Sequence, residues 1–141
     1  MVMEKIIPVA DTGFVVALTN RTDRRHPDVT PLYQSFGEML LPQTALVEVA
    51  YLIGRTGRID RVCQFLRGLP ASRFRVIALT DQDVARIADI LEEYADSRID
   101  FVDASVMAIA ERYDSETILT LDRRDFSIFR PAHCPYFKLL P

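Results

Sequence analysis

The stretch "KIIPVADTGFVVALTN", residues 5–20, decides the fold. An apolar run stops on Asp11, and a second apolar stretch starts directly after it. A short buried strand at residues 6–10 feeding a helix at 12–20 is the opening of a β–α unit. Pro8 limits that strand, because proline is unusual inside a central strand; the paired segment is expected to begin there. The simplest role for Asp11 is an N-cap, its carboxylate accepting a hydrogen bond from an unpaired N–H of the first helical turn. Whether it does more depends on the rest of the chain.

The same alternation recurs downstream. "DRRHPDVTPLY" reads as a loop leading into a helix that runs to about residue 37, and "EMLLPQ" as a short strand ended by Pro42. "TALVEVAYLIGRTG" is strongly helical, with Gly57 as its C-cap. "RIDRVCQFLRGL" places Ile59, Val62, Phe65 and Leu66 on one helical face, closed by Gly68 and Pro70. "RFRVIALT" reads as a buried strand. Thr80 caps a helix carrying Val84, Ile87, Ile90 and Leu91 on one face. "DFVDASVMAIAERY" is a further helix, "TILTL" a strand, "DRRDF" a short helical turn, and "YFKLLP" an edge strand. Strands alternating with helices specify a three-layer α/β/α domain with a mainly parallel central sheet. In such sheets, sites form beyond the carboxyl ends of the strands, where Asp11 and Asp122 both fall.

The 141 residues suit a single domain spanning 1–141, and 49% hydrophobic against 26% charged residues describe a globular chain. No apolar run reaches the length of a membrane span. Glu4, Lys5, Pro8 and Asp11 interrupt the N-terminal stretch as no signal peptide would allow. Cys63 and Cys134 form no motif, so free thiols and a reducing, cytoplasmic setting are expected. The net charge of −3 is not that of a general nucleic-acid binder. Arginines nonetheless gather at Arg21, Arg24 and Arg25, and at Arg55, Arg58, Arg61 and Arg67. Arginine suits bidentate phosphate contacts better than lysine, although solvated helix faces explain such clusters equally.

Glu48 is the residue hardest to explain as structure. It is the only charged side chain in "TALVEVAYLI", residues 44–53, and no basic residue stands three or four positions away. An unpaired buried carboxylate costs several kcal/mol, so either a salt bridge arrives from elsewhere in the fold or a cation neutralises it. Asp100 and Asp103 open a helix three residues apart and share one face, and Asp122 and Asp125 repeat the spacing. Each has a capping role available. Together with Asp11 and Glu48 they form a set of acids that would repel one another unless a divalent cation held them. Oxygen ligands alone select hard ions such as Mg²⁺ or Mn²⁺, which suit phosphoryl chemistry. No glycine-rich phosphate loop is present.

In this order and these contexts the acids resemble the PIN domain, and within it the VapC-type toxin ribonucleases of bacterial toxin–antitoxin pairs. "ADTGFVVAL", "TALVEVAYL", "DFVDASVMAIAER" and "TILTLDRRDF" resemble its four motifs, spread from residue 6 to about 130. The resemblance implies that Asp11, Glu48, Asp103 and Asp122 are catalytic and bind Mg²⁺ or Mn²⁺. Asp100 and Asp125 would support them, with Thr12, Thr44 and Thr120 as orienting hydroxyls. Gly13 departs from the polar residue common in the family. The implied activity is a metal-dependent endoribonuclease that hydrolyses RNA phosphodiesters with a metal-activated water, leaving 5′-phosphates and 3′-hydroxyls. The implied partners are RNA, a small cognate antitoxin and a second copy of the chain, and no membrane.

Other chemistries fit less well. A ribonuclease using the 2′-hydroxyl needs paired histidines, and His26 and His133 lie in separate proline-flanked segments with the look of structural residues. An aspartyl phosphatase of the haloacid-dehalogenase pattern needs a second Asp where Gly13 stands. A receiver domain needs a late lysine; the only lysines are Lys5 and Lys138. The alternative kept open is a PIN-like module that binds RNA or protein without cutting, its acids serving as scaffolding.

Overall fold

The computed structural model describes residues 5–141. Five strands, β1 (Val9–Ala10), β2 (Met39–Pro42), β3 (Phe74–Ile77), β4 (Thr117–Leu119) and β5 (Lys138–Leu140), form one sheet in the order β3-β2-β1-β4-β5. All four pairings are parallel. The helices are α1 (Thr12–Thr19), α2 (His26–Ser35), α3 (Gln43–Gly54), α4 (Ile59–Gly68), α5 (Asp81–Glu93), α6 (Phe101–Arg112) and α7 (Arg123–Ile128).

Alternation along the strands separates the two layers of helix. Val9, Leu40 and Ile118 point to one face and pack with Ile87, Ile90, Met107 and Phe126 of α5, α6 and α7. Their neighbours Ala10, Met39, Leu41 and Leu119 point to the other, against Phe14, Val15, Ala45 and Val49 of α1 and α3. A central parallel strand is covered on both sides, so β1, β2 and β4 are buried throughout. Each large side chain so buried contributes about 1.5–3 kcal/mol. The result is a three-layer α/β/α arrangement.

Strand order places the site. From β1 the chain moves outward through β2 to β3, then crosses back to lay β4 on the other side of β1. The boundary between β1 and β4 is the switch point where a crevice opens beyond the strand ends. Val9 pairs with Ile118 and Ala10 with Leu119, so the next residues, Asp11 and Thr120, emerge side by side. Backbone bonds fix that emergence: Asp11 N–H donates to Leu119 O at 2.9 Å, and Thr120 N–H to Leu140 O at 2.8 Å.

The expected boundaries need six corrections. Pairing in β1 begins after Pro8, and the Pro8 carbonyl still accepts from Leu40 N–H at 2.9 Å. The segment read as a loop at 23–33 is mostly helix: α2 starts at His26, with Pro27 in its first turn, where proline's missing N–H costs nothing. Arg55, and not Gly57, caps α3; Gly57 sits two residues on at φ +83°, in the left-handed turn that glycine permits. On α4 no residue is buried; Ile59 is 61% and Leu66 42% exposed, although Val62 and Ile59 lie near Gly54 of α3 and Phe65 packs on the core. On α5 Val84 is exposed while Ile87 and Ile90 are buried. β3 itself is an edge strand with Arg75 and Val76 exposed, not the buried strand its composition suggested.

Candidate active site

Asp11 occupies the N-cap position of α1, yet its carboxylate makes no capping bond. Its Oδ2 instead accepts the Thr120 hydroxyl at 3.1 Å, across the switch point. Thr120 is oriented for this by its own turn, its Oγ1 accepting Asp122 N–H at 2.9 Å. Asp11 is 7% exposed. Burial pushes its carboxyl from 3.8 up to about 6; the Thr12 peptide and the Thr120 hydroxyl pull it down, and the charges of Glu48 and Asp122 push it up.

Glu48 arrives from α3, which packs against α1 and α6. Among the described residues the ion pairs are Lys5 and Arg75 with Glu38, Arg25–Asp28, Arg58–Asp60, Arg86–Glu111 and Arg112–Asp83. None involves Glu48, Asp11, Asp103 or Asp122, so no salt bridge answers the need the sequence raised. One turn earlier on α3, the Thr44 hydroxyl bonds the Ser105 hydroxyl of α6. Ser105 Oγ donates to Val102 O at 2.7 Å, which leaves Thr44 as donor in the pair. This bond clamps the helix carrying Glu48 to the helix carrying Asp103.

Asp100 and Asp103 do form a capping box: Asp103 N–H donates to Asp100 Oδ1 at 2.9 Å and Asp100 N–H to Asp103 Oδ2 at 3.2 Å. Capping does not exhaust Asp103. Its half-buried carboxyl is pushed from 3.8 to about 8 by desolvation, against the Asp100 N–H that lowers it and with the charges of Asp100 and Asp11 adding to the rise. Asp122 is exposed and caps α7, accepting Arg124 N–H at 3.1 Å. Asp125 is buried and shifted upward, first by desolvation and then by the Asp122 charge. Thr12, 4% exposed, has a buried hydroxyl without a hydrogen-bond partner.

The acids named from the sequence thus gather beyond the strand ends around Asp11, which feels the charges of Glu48 and Asp122 and acts on Asp103. His26 and His133 lie apart, their rings bonded to the carbonyls of Ala17 and Ser115. Ser105 escaped the sequence reading; its only signal is a lone hydroxyl within an otherwise apolar helical run.

These residues fit a hard divalent ion. The donors are carboxylate and hydroxyl oxygens, none of the acids is in an ion pair among the described residues, and one buried hydroxyl is orphaned. Among the described residues no three His, Cys, Asp or Glu side chains converge into a ready-made cage.

The chain is 30% identical over 134 residues to ribonuclease VapC26 of Mycobacterium tuberculosis, covering 94% of this chain and 99% of that protein. Its fold is similar to the crystal structure of M. tuberculosis VapC20, a sarcin–ricin loop cleaving toxin, with TM-score 0.75 at 21% identity over 82% of this chain and 90% of that one. It is similar also to VapBC2 of Rickettsia felis bound to promoter DNA, with TM-score 0.71 at 14% identity over 96% and 100% of the two chains. Residues 9–130 match the PIN domain. With four acid-bearing segments meeting at the switch point of a parallel sheet, the chain belongs to the PIN domain family.

Proposed function

We propose that this chain is an endoribonuclease toxin of the VapC type, hydrolysing RNA phosphodiesters with Mg²⁺ or Mn²⁺. The observation that carries the reading is a set of acids at the switch point, Asp11 buried and Asp103 half-buried, that no ion pair among the described residues neutralises. Structure alone gives no reason to gather acids there without a neutralising counter-ion. Asp11, Glu48, Asp103 and Asp122 would hold the ion, and a bound divalent ion would supply Lewis-acid stabilisation of phosphoryl charge. The chain's own contribution is placement. Thr120 fixes Asp11 Oδ2, the Thr44–Ser105 bond sets the spacing of Glu48 from Asp103, and the Asp100 box fixes the start of α6. Asp125 and Thr12 would support the set from beneath.

We assign as partners RNA as substrate, a small antitoxin that covers the acid cleft, and a second copy of the chain, in the cytoplasm; the relatives named as a ribonuclease and as toxin–antitoxin complexes support the first two. Among the similar structures is a toxin–antitoxin complex from Klebsiella pneumoniae. Among the described residues no helix is long and apolar enough to cross a membrane.

The test uses purified protein, freed of any bound partner, incubated with total RNA and Mg²⁺ or Mn²⁺. EDTA and Asp11→Asn controls run beside it. Cuts bearing 5′-phosphates, absent from both controls, are expected. Cutting that persists in EDTA or in the variant would refute the mechanism, and RNA binding without cutting in any condition would favour a non-catalytic module.

A further inference from the structure

One face of α3 continues the acid cleft outward. Thr44, Glu48, Tyr51 and Arg55 follow one another at spacings of four, three and four residues. At 3.6 residues per turn these positions lie within about 60° of one another around the helix. Thr44 is pinned to α6, and Glu48 is half-buried at the cleft. Beyond them Tyr51 is 67% exposed. Arg55, at the helix end, is exposed and is in none of the ion pairs of the described residues. Its neighbour Arg58 differs, being held to Asp60 at 2.9 Å. Tyr51 stands about 4.5 Å and Arg55 about 10.5 Å beyond Glu48 along the axis, by the 1.5 Å rise per residue.

This row runs from acid to bare aromatic ring to free guanidinium. An acid-lined cleft repels a polyanion, so the chain needs attractive groups just outside it. A guanidinium takes a phosphate bidentately, and an exposed ring offers a stacking platform to any base. Resting on the ribonuclease reading above, we propose that the Tyr51–Arg55 stretch of α3 is the track for single-stranded RNA beside the cut. Tyr51 stacks a base next to the scissile phosphodiester, and Arg55 holds a phosphate further along the strand. Charge complementarity and continuity with the acid cleft favour RNA over a protein occupant of this face.

The test measures binding of a short, fluorescein-labelled, mixed-sequence single-stranded RNA by anisotropy, using the cleavage-blocked Asp11→Asn protein as background. Cleavage by otherwise native protein with Mg²⁺ or Mn²⁺ is followed in parallel. Tyr51→Ala is expected to weaken binding about 5- to 150-fold, the range for losing one stacked base, while Tyr51→Phe binds nearly as the parent. In cleavage the loss falls on KM more than on kcat. Arg55→Gln is expected to reduce the slope of log K against log salt by about 0.7, the value for one phosphate contact on a single strand. Unchanged binding and KM in Tyr51→Ala and Arg55→Gln, while the native protein still cuts, would overturn the track and leave the ribonuclease reading standing. A native protein that neither binds nor cuts RNA would take both down. A shift of Tyr51→Ala from dimer to monomer in sedimentation, with RNA binding per chain unchanged, would assign the face to a second copy and overturn the proposal.

Discussion

Replacing Asp11 with asparagine should make the metal-free protein more stable at the pH where it removes activity. Folding lifts the Asp11 carboxyl from 3.8 to about 6, chiefly by burial. Between those values the folded chain binds more protons than the unfolded one, so stability falls as pH rises, and the loss is complete above about 6. At 1.36 kcal/mol per unit, the ionised carboxylate costs the native state about 3 kcal/mol at pH 8. Asparagine keeps an oxygen for the Thr120 hydroxyl, which donates at 3.1 Å, and carries no charge to desolvate. Removing the charge also relieves Asp103, whose carboxyl Asp11 helps push up. For a domain of this size a gain of that order raises Tm by about 8–12 °C. Thermal unfolding followed by circular dichroism in EDTA, at pH 4 and pH 8, reads the difference. A large gain at pH 8 and almost none at pH 4 is expected. A lower Tm at pH 8, or an equal gain at both, would show that Asp11 is not the strained acid described here.

Two further substitutions probe the scaffold. Thr44→Val removes the donor to Ser105 that ties α3 to α6; it should cost about 1 kcal/mol in urea unfolding and lower kcat more than it changes Tyr51-dependent RNA binding. Arg86→Ala breaks the two-point pair with Glu111, at 2.7 and 3.0 Å, that staples α5 to α6. A loss of about 1–3 kcal/mol is expected, moderated because Ala132 N–H still donates to Glu111, with cleavage per folded molecule unchanged.

The sequence was most readable where one residue's chemistry conflicted with its surroundings. Asp11 after an apolar strand and Glu48 inside an apolar helix were visible as anomalies, and the absence of nearby cations sharpened the second. Capping at Thr80 and Asp100 was legible because it is local: the donor and acceptor lie three residues apart. What the chain alone could not show depends on strand order. β3 reads like a buried strand, and only its place at the sheet edge leaves Arg75 and Val76 in water. α4 has an apolar face, but Ile59 and Leu66 stay largely in water, and periodicity does not record what stands opposite. Ser105 was missed for the same reason, since its partner Thr44 is 61 positions away.

The Thr120–Asp11 hydrogen bond spans 109 positions of chain. During synthesis the segment bearing Asp11 leaves the ribosome early, and β2 and β3 can join it while everything from β4 onward is still unmade. Such a chain has Asp11, Glu48 and the helix of Asp103 but not the hydroxyl that orients the first acid. Contacts of this range also form late in folding, because loop closure must precede them. The arrangement around Asp11 is therefore completed only when β4 has been made, so the acid set assembles last at the very position where the chain began.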